Sequence, residues 1–311
     1  MKTNELWLSR RRFVASASVA MASFWLAPWH LKAAETTMLR KTIPGTSESL
    51  PVIGLGSSRT FDVDISDPVI SDFIALIQEF FAQGGELIDS SPMYGSAEQI
   101  IGTLLKRAGD RDRLFAATKV WTDGEQAGIR QMESSARKWG IDSFDLMQIH
   151  NLRDWKTHLK TLKTWKAEGK IRYLGITTSH GRNHRELETI LRQEPFDFVQ
   201  FSYNIEDRSV EERLLPLAAD RGIAVLVNRP YQRGALFRAV KGKSLPSWTT
   251  EFDCYSWGQF FLKYIVSHPA VTCVIPATTK LHHLQDNLAA GLGRLPDVGL
   301  RKKMENFFAT L

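Results

Sequence analysis

From residue 50 onward, short apolar runs alternate with longer amphipathic stretches. The runs at 52–56, 87–90, 115–120, 145–150, 173–177, 198–203, 224–228 and 272–276 are rich in Val, Ile, Leu and Phe. They show no long polar alternation, as expected of strands buried on both faces. The stretches between them, at 68–83, 96–107, 126–139, 155–168, 183–192, 210–220, 255–267 and 281–290, read as helices. In the first, Val69, Ile70, Phe73, Ile74, Ile77, Phe80 and Phe81 recur at helical spacing. Ser96 and Gln99 have the spacing of a capping box at the start of the second. Eight strands, each followed by a helix with no linker between, predict a single α/β domain, a (β/α)8 TIM barrel, over residues 35–311. A doubly wound sheet would need a glycine-rich phosphate turn after its first strand. Gly54-Leu55-Gly56 begins one, but Arg59 stands where the third glycine belongs.

Composition narrows the class. Of 311 residues, 43% are hydrophobic and 24% charged, which excludes disordered, collagen-like and disulfide-scaffold proteins. The net charge of +6 is concentrated at one end, because residues 1–34 hold five basic side chains against one acidic. The remainder carries 35 basic and 33 acidic side chains, so nothing argues for nucleic acid as a partner. Within residues 1–34, Ser9-Arg10-Arg11-Arg12-Phe13 precedes an uncharged Ala/Ser-rich stretch too short and too polar for a strong membrane span. This run resembles the twin-arginine export signal, which implies folded export by the twin-arginine machinery to the periplasm. The leader is either cut near Ala34 or kept as an inner-membrane anchor. Cys254 and Cys273 read better as two unrelated free thiols than as a pair, since Cys273 lies in an apolar run.

Barrel chemistry sits at the C-terminal ends of the strands. Asp89 closes the second strand, Tyr94 follows five residues on, Lys119 lies near the end of the third and His150 ends the fourth. A lysine in an apolar strand needs a charged partner, and Asp89 on the neighbouring strand is placed to supply one. A cation beside a phenol lowers its pKa, making Tyr94 a usable general acid for a carbonyl oxygen, with His150 as a hydrogen-bond donor to that oxygen. Singly, each residue is equally well a cap, a half-buried ring, a snorkelling lysine or a core histidine; together at one barrel end they point to a site. His180 and His184 are four apart and His282 and His283 adjacent, but no Cys or carboxylate pair completes a metal site, so no metal is expected.

These residues resemble the aldo-keto reductase family. Gly85-x3-Asp89-x4-Tyr94-Gly95-x2-Glu98-x3-Gly102 is similar to that family's signature, and the resemblance continues through Thr118-Lys119-Val120-Trp121 and Ile149-His150-Asn151. It extends to Gly169-Lys170-Ile171-Arg172, Val199-Gln200-x2-Tyr203-Asn204 and Ile275-Pro276-Ala277-Thr278. The resemblance implies an NADP(H)-dependent reductase of a small carbonyl substrate, with Asp89, Tyr94, Lys119 and His150 catalytic. It implies that Thr177, Thr178, Gln200 and Asn228 meet the nicotinamide half of the cofactor. Thr278, Lys280, His283, Asp286 and Asn287 would meet the adenosine half, with Lys280 on its 2′-phosphate. Phe61, Trp121, Asn151, Leu152 and Arg229 would line the substrate side. Thr178, Asn228, Ala277 and His283 depart from residues common in the family. Those departures, and the absence of a reduced-nicotinamide pool outside the cytoplasm, leave a second reading: an exported nucleotide-binding or sensor barrel with little turnover. An unidentified redox partner would be needed to recharge a bound cofactor after export.

Overall fold

The computed structural model describes residues 37–109 and 112–311; the export-signal reading of residues 1–34 falls outside them. Eight strands run parallel in one sheet: β3 (Leu55–Gly56), β4 (Leu87–Asp89), β5 (Phe115–Val120), β6 (Phe144–Ile149), β7 (Ile171–Thr177), β8 (Phe198–Ser202), β9 (Ala224–Asn228) and β10 (Cys273–Val274). Each pairs with its sequence neighbour, and bridges from Ile53 to Val274 and from Gly56 to Ala277 join the last strand to the first. The sheet is thereby a nearly closed barrel. Between the strands lie α1 (Ile70–Ala82), α2 (Ala97–Ala108), α3 (Glu125–Trp139), α4 (Trp155–Ala167), α5 (His184–Gln193), α6 (Leu214–Asp220), α7 (Ala235–Ala239) and α8 (Trp257–Val266), and α9 (Leu281–Ala289) follows β10. In α1 the helical stripe Ile70, Phe73, Leu76, Ile77, Phe80 and Phe81 is buried against the sheet. Burial of side chains this size contributes about 1.5–3 kcal/mol each.

Two elements go beyond the sequence reading. A hairpin of β1 (Arg40–Thr42) and β2 (Ser49–Pro51) precedes the barrel, and its Ile43 and Leu50 join Leu87, Phe115 and Phe198 in the inner core. Leu87, Phe115 and Phe198 open their strands, so the hairpin plugs the N-terminal end and leaves the other end free. A last helix, α10 (Val298–Phe308), is capped by Asp297, whose side chain accepts from Leu300 N at 2.8 Å. The capping box at Ser96 does not form. Its hydroxyl is drawn away to Asp62 Oδ1 (3.0 Å) and Val63 O (2.8 Å), which tie the loop after β3 to the start of α2. The signature glycines have local reasons. A side-chain carbon at Gly102 would fall 1.9 Å from Lys138 O, so α2 meets the end of α3 only without one, and Gly95 (φ 60°) packs on the Asp62 carboxylate. Cys254 and Cys273 are free and buried.

Candidate active site

The ends of β4, β5 and β6 bring three of the sequence-predicted residues together, and the turn after β4 adds the fourth. Lys119, with no exposed surface, donates to Asp89 Oδ2 at 2.5 Å and to Ser90 O at 2.7 Å. The other carboxylate oxygen, Oδ1, accepts from Gln148 (2.9 Å) and Gln200 (3.1 Å), which also bond each other. Asp89 is thus held by charge on one side and by two amides on the other. Burial opposes the Lys119 charge, but Asp89, Tyr94 and Glu98 together outweigh it and its pKa lies above the usual lysine value.

Tyr94 lies against this pair, with Lys119 Nζ 5.4 Å from the ring centroid and the His150 ring edge-on at 5.9 Å. The expected lowering of its pKa is overturned. Burial dominates and raises it, while the charge of Lys119 pulls only partly back, because Asp89 spends that charge. Tyr94 is therefore a phenol, not a phenolate, across the neutral range. His150 is pushed down to about 3, first by burial and then by Lys119, so its imidazole is neutral. Ser91 Oγ accepts from Met93 N (3.2 Å) and lies 2.9 Å from His150 Nδ1. A serine that donates its proton to Nδ1 leaves Nε2 of His150 carrying the hydrogen, the tautomer that can donate to a carbonyl oxygen.

A cavity of about 730 Å3 opens at this end of the barrel. Asp89, Tyr94, His150, Asn151, Thr177, Thr178, Gln200, Asn228 and Arg229 line it. Thr177 Oγ1 accepts from Asn151 N (3.1 Å), and Asn228 donates to Thr178 O (3.0 Å) and Gln200 Oε1 (3.2 Å). The Gln200 amide is therefore spent within the floor. Thr178 Oγ1, by contrast, is buried with no hydrogen-bond partner.

Not every expected residue lines that cavity. Phe61 is fully buried against Phe73 (5.1 Å between centroids), because its ring completes the core under α1 instead of facing the opening. Trp121 and Leu152 are also absent from the lining; Trp121 stacks under Arg153 (5.0 Å) and beside His150 (6.4 Å). Lys280 and His283 are exposed at the start of α9, and Thr278 Oγ1 accepts from Lys280 N (3.1 Å). Asp286 is taken by Ser256 (2.7 Å) and Gln259 (2.8 Å), and Asn287 by the Tyr231 hydroxyl (2.5 Å). Among the described residues no group of three His, Cys, Asp or Glu is placed to hold a metal.

Sequence reasoning missed Gln148 and Ser91, which bond Asp89 Oδ1 and His150 Nδ1 respectively. The signal for Gln148 was available: an amide two residues before His150, on the same face of an otherwise apolar strand. Arg59, Arg182 and Arg233 also line the cavity and were not singled out, since three loops scattered along the chain bring them there.

A barrel with an ion-paired lysine, a phenol and a neutral histidine at its open end defines an enzyme-like site of the proton-donating kind. The aldo/keto reductase family model matches residues 52–300, and the chain belongs to that family. Aldo-keto reductase str7 of Strobilurus tenacellus is 25% identical over 290 residues, spanning 80% of this chain and 84% of its own. Aldo-keto reductase YhdN of Bacillus subtilis is 29% identical over 199 residues, 58% of this chain and 57% of its own. An aldo/keto reductase from Klebsiella pneumoniae, solved with NADP and acetate, superposes with a TM-score of 0.73 over 88% of this chain and 95% of that one, at 22% identity.

Proposed function

We propose that this protein is an oxidoreductase that reduces an aldehyde or ketone with NADP(H), and that Tyr94 supplies the proton. The observation that carries the reading is the convergence of Tyr94, the Lys119–Asp89 pair and neutral His150 on one cavity. NADP and NADPH in the Klebsiella aldo-keto reductases support the choice of cofactor. The residues present fit such a group: Thr178 offers a buried hydroxyl with no protein partner to a carboxamide, and arginines edge the cavity for phosphates. Thr177, Thr178, Asn228 and Gln200 would frame the nicotinamide end. Thr278, Lys280 and His283 at the start of α9 would meet the 2′-phosphate, with Asp286 and Asn287 shaping that wall through their own bonds. The cofactor, when bound, supplies hydride to the carbonyl carbon.

The chain's own residues do the rest. His150 Nε2–H and the Tyr94 hydroxyl hold the carbonyl oxygen, and Tyr94 transfers its proton as negative charge builds there. The phenolate so formed is stabilised by Lys119, which Asp89, Gln148 and Gln200 keep in place. Asn151 and Arg229 would border the substrate side. Fluorescence titration with NADPH tests the cofactor assignment, with saturable quenching expected. Tyr94→Phe should then lower kcat by about 10²–10⁴-fold while still binding NADPH. A variant as active as the parent would remove Tyr94 from the chemistry, and a nucleotide-binding barrel without turnover would show no loss to measure. Because Tyr94 is raised and His150 sits near 3, the reduction rate should be flat between about pH 6 and 9. A limb near pH 7 would show that bound nucleotide restores the lowering effect of Lys119.

Residues 1–34 belong to the same proposal as a twin-arginine export signal that delivers the protein to the periplasm. Its support is the Ser9–Phe13 run before an uncharged stretch. Replacing Arg10 and Arg11 by Lys should leave the protein in the cytoplasmic fraction; continued export would discard the assignment.

A further inference from the structure

Four arginines line the cavity, and they come from three loops: Arg59 after β3, Arg182 after β7, Arg229 and Arg233 after β9. Among the described residues none of the four has a carboxylate ion-pair partner. The side chain of Arg229 has one hydrogen bond, from Nη1 to Nε2 of His180 at 2.5 Å. The charge of Asp207 favours the Arg229 cation, and Arg233, Arg59 and Arg182 act against it. Asp89, the only acidic residue in the lining, is already matched by Lys119. The backbone holds this arrangement at a cost: Arg59 (φ 66°), His180 (φ 65°), Arg229 (φ 53°) and Arg233 (φ 54°) all occupy the left-handed region, which long side chains seldom adopt. Like charges gathered by strained loops imply an anion that offsets them.

With the 2′-phosphate held at the start of α9, the cofactor's diphosphate alone does not balance the cluster. The diphosphate of a nicotinamide dinucleotide brings roughly two negative charges, against four guanidinium groups. The surplus is wired to the reacting end of the cavity. Because Arg229 donates to Nε2 of His180, the hydrogen of that ring lies on Nδ1 and is donated to Ser179 Oγ (2.8 Å), whose hydroxyl donates to Asn151 Oδ1 (3.3 Å). Asn151 directly follows His150.

Resting on the reductase reading above, we propose that the carbonyl compound reduced here is itself an anion, its carboxylate or phosphate held at the cavity mouth by Arg182 and Arg229. Arg59 and Arg233 would then be left for the cofactor's diphosphate.

The test uses the full chain with NADPH and matched substrate pairs: 4-oxobutanoate against butanal, and glyceraldehyde 3-phosphate against glyceraldehyde. The charged member of a pair should have a kcat/KM at least ~10-fold higher, the advantage shrinking as salt is added. Which pair shows it assigns the anion as carboxylate or phosphate. In Arg182→Gln and Arg229→Gln the charged-to-neutral ratio should fall about tenfold, while fluorescence titration gives a Kd for NADPH within about threefold of the parent. Equal kcat/KM values within both pairs overturn the proposal. So do variants that lose NADPH affinity with the ratio intact, because the whole cluster then serves the diphosphate. A folded protein that binds no NADPH overturns the reductase reading instead, and the substrate assignment falls with it.

Discussion

Lys119 at the open end of the barrel and Lys41 at the plugged end are both drawn inside the protein, and they meet opposite fates. Lys119 has a carboxylate partner and its pKa is raised. Lys41 donates to three backbone carbonyls, of Val266 (2.7 Å), His268 (2.8 Å) and Val271 (2.6 Å), and its pKa is lowered to about 8, first by burial and then by Arg301. The contrast shows that satisfying an ammonium's hydrogen bonds is not the same as balancing its charge. The plugged end also pairs Arg172 with acids, bridging Glu48 and Asp145, whereas four arginines at the open end have no carboxylate ion pair among the described residues. One end is finished as structure. The other lines a cavity with uncompensated charge.

The largest expected effect comes from breaking the matched lysine. Lys119→Met strands Asp89 as a buried carboxylate with only amides to hold it, and should cost about 3–5 kcal/mol of stability by urea denaturation. Adding Asp89→Asn should recover part of the loss without restoring turnover. A loss under about 1 kcal/mol would mean that Asp89 takes up a proton in the variant and that the pair was worth little.

The unmatched lysine should behave differently. Lys41→Met leaves three carbonyls short of a donor and should cost about 1–3 kcal/mol at neutral pH. Its pH dependence carries the sign. The folded-state value, about 8, lies below the ordinary 10.5, so between those values the unfolded chain binds more protons. Parent stability therefore gains from Lys41 as pH rises through that window, and the variant lacks the gain. The difference between parent and variant should widen from pH 8 to 10. Lys263, also lowered to about 8, contributes equally to both proteins and cancels in the difference.

The same contrast explains what could be read in advance. Asp89, Lys119 and His150 were legible because a charged or polar residue at the end of an apolar strand has nowhere else to go, and Tyr94 from its place five residues after Asp89. The strand pattern gave the barrel, with its edges least sharp at 52–56 and 272–276, where isolated bridges close the seam. The hairpin escaped notice because its strands are three residues each, too short to show alternation. The protonation of Tyr94 was misjudged because a sequence places Lys119 near the phenol but does not say that Asp89 has already claimed its charge. Phe61 illustrates the same limit: apolar residues in a loop read alike whether they face a cavity or a core. The arginine cluster is a product of tertiary structure, since its members lie in three loops between residues 59 and 233.

The finest test uses two threonines, one at each end. Thr46 Oγ1 in the hairpin turn donates to Ile43 O (2.9 Å) and accepts from Glu48 N (3.1 Å). Thr178 Oγ1 in the cavity wall is buried with neither donor nor acceptor. Replacing a satisfied hydroxyl by a methyl loses its bonds, so Thr46→Val should destabilise by about 1 kcal/mol. Replacing an unsatisfied one removes a desolvation cost, so Thr178→Val should be neutral or stabilising by about 1 kcal/mol in the free protein. The order reverses once nucleotide is added. Thr46→Val should bind NADPH as the parent does, while Thr178→Val should weaken it by about 3–10-fold, the value of one hydrogen bond made only in the complex. If Thr178→Val were destabilising without ligand, the hydroxyl would already have a partner, and the open end would be as complete as the plugged one.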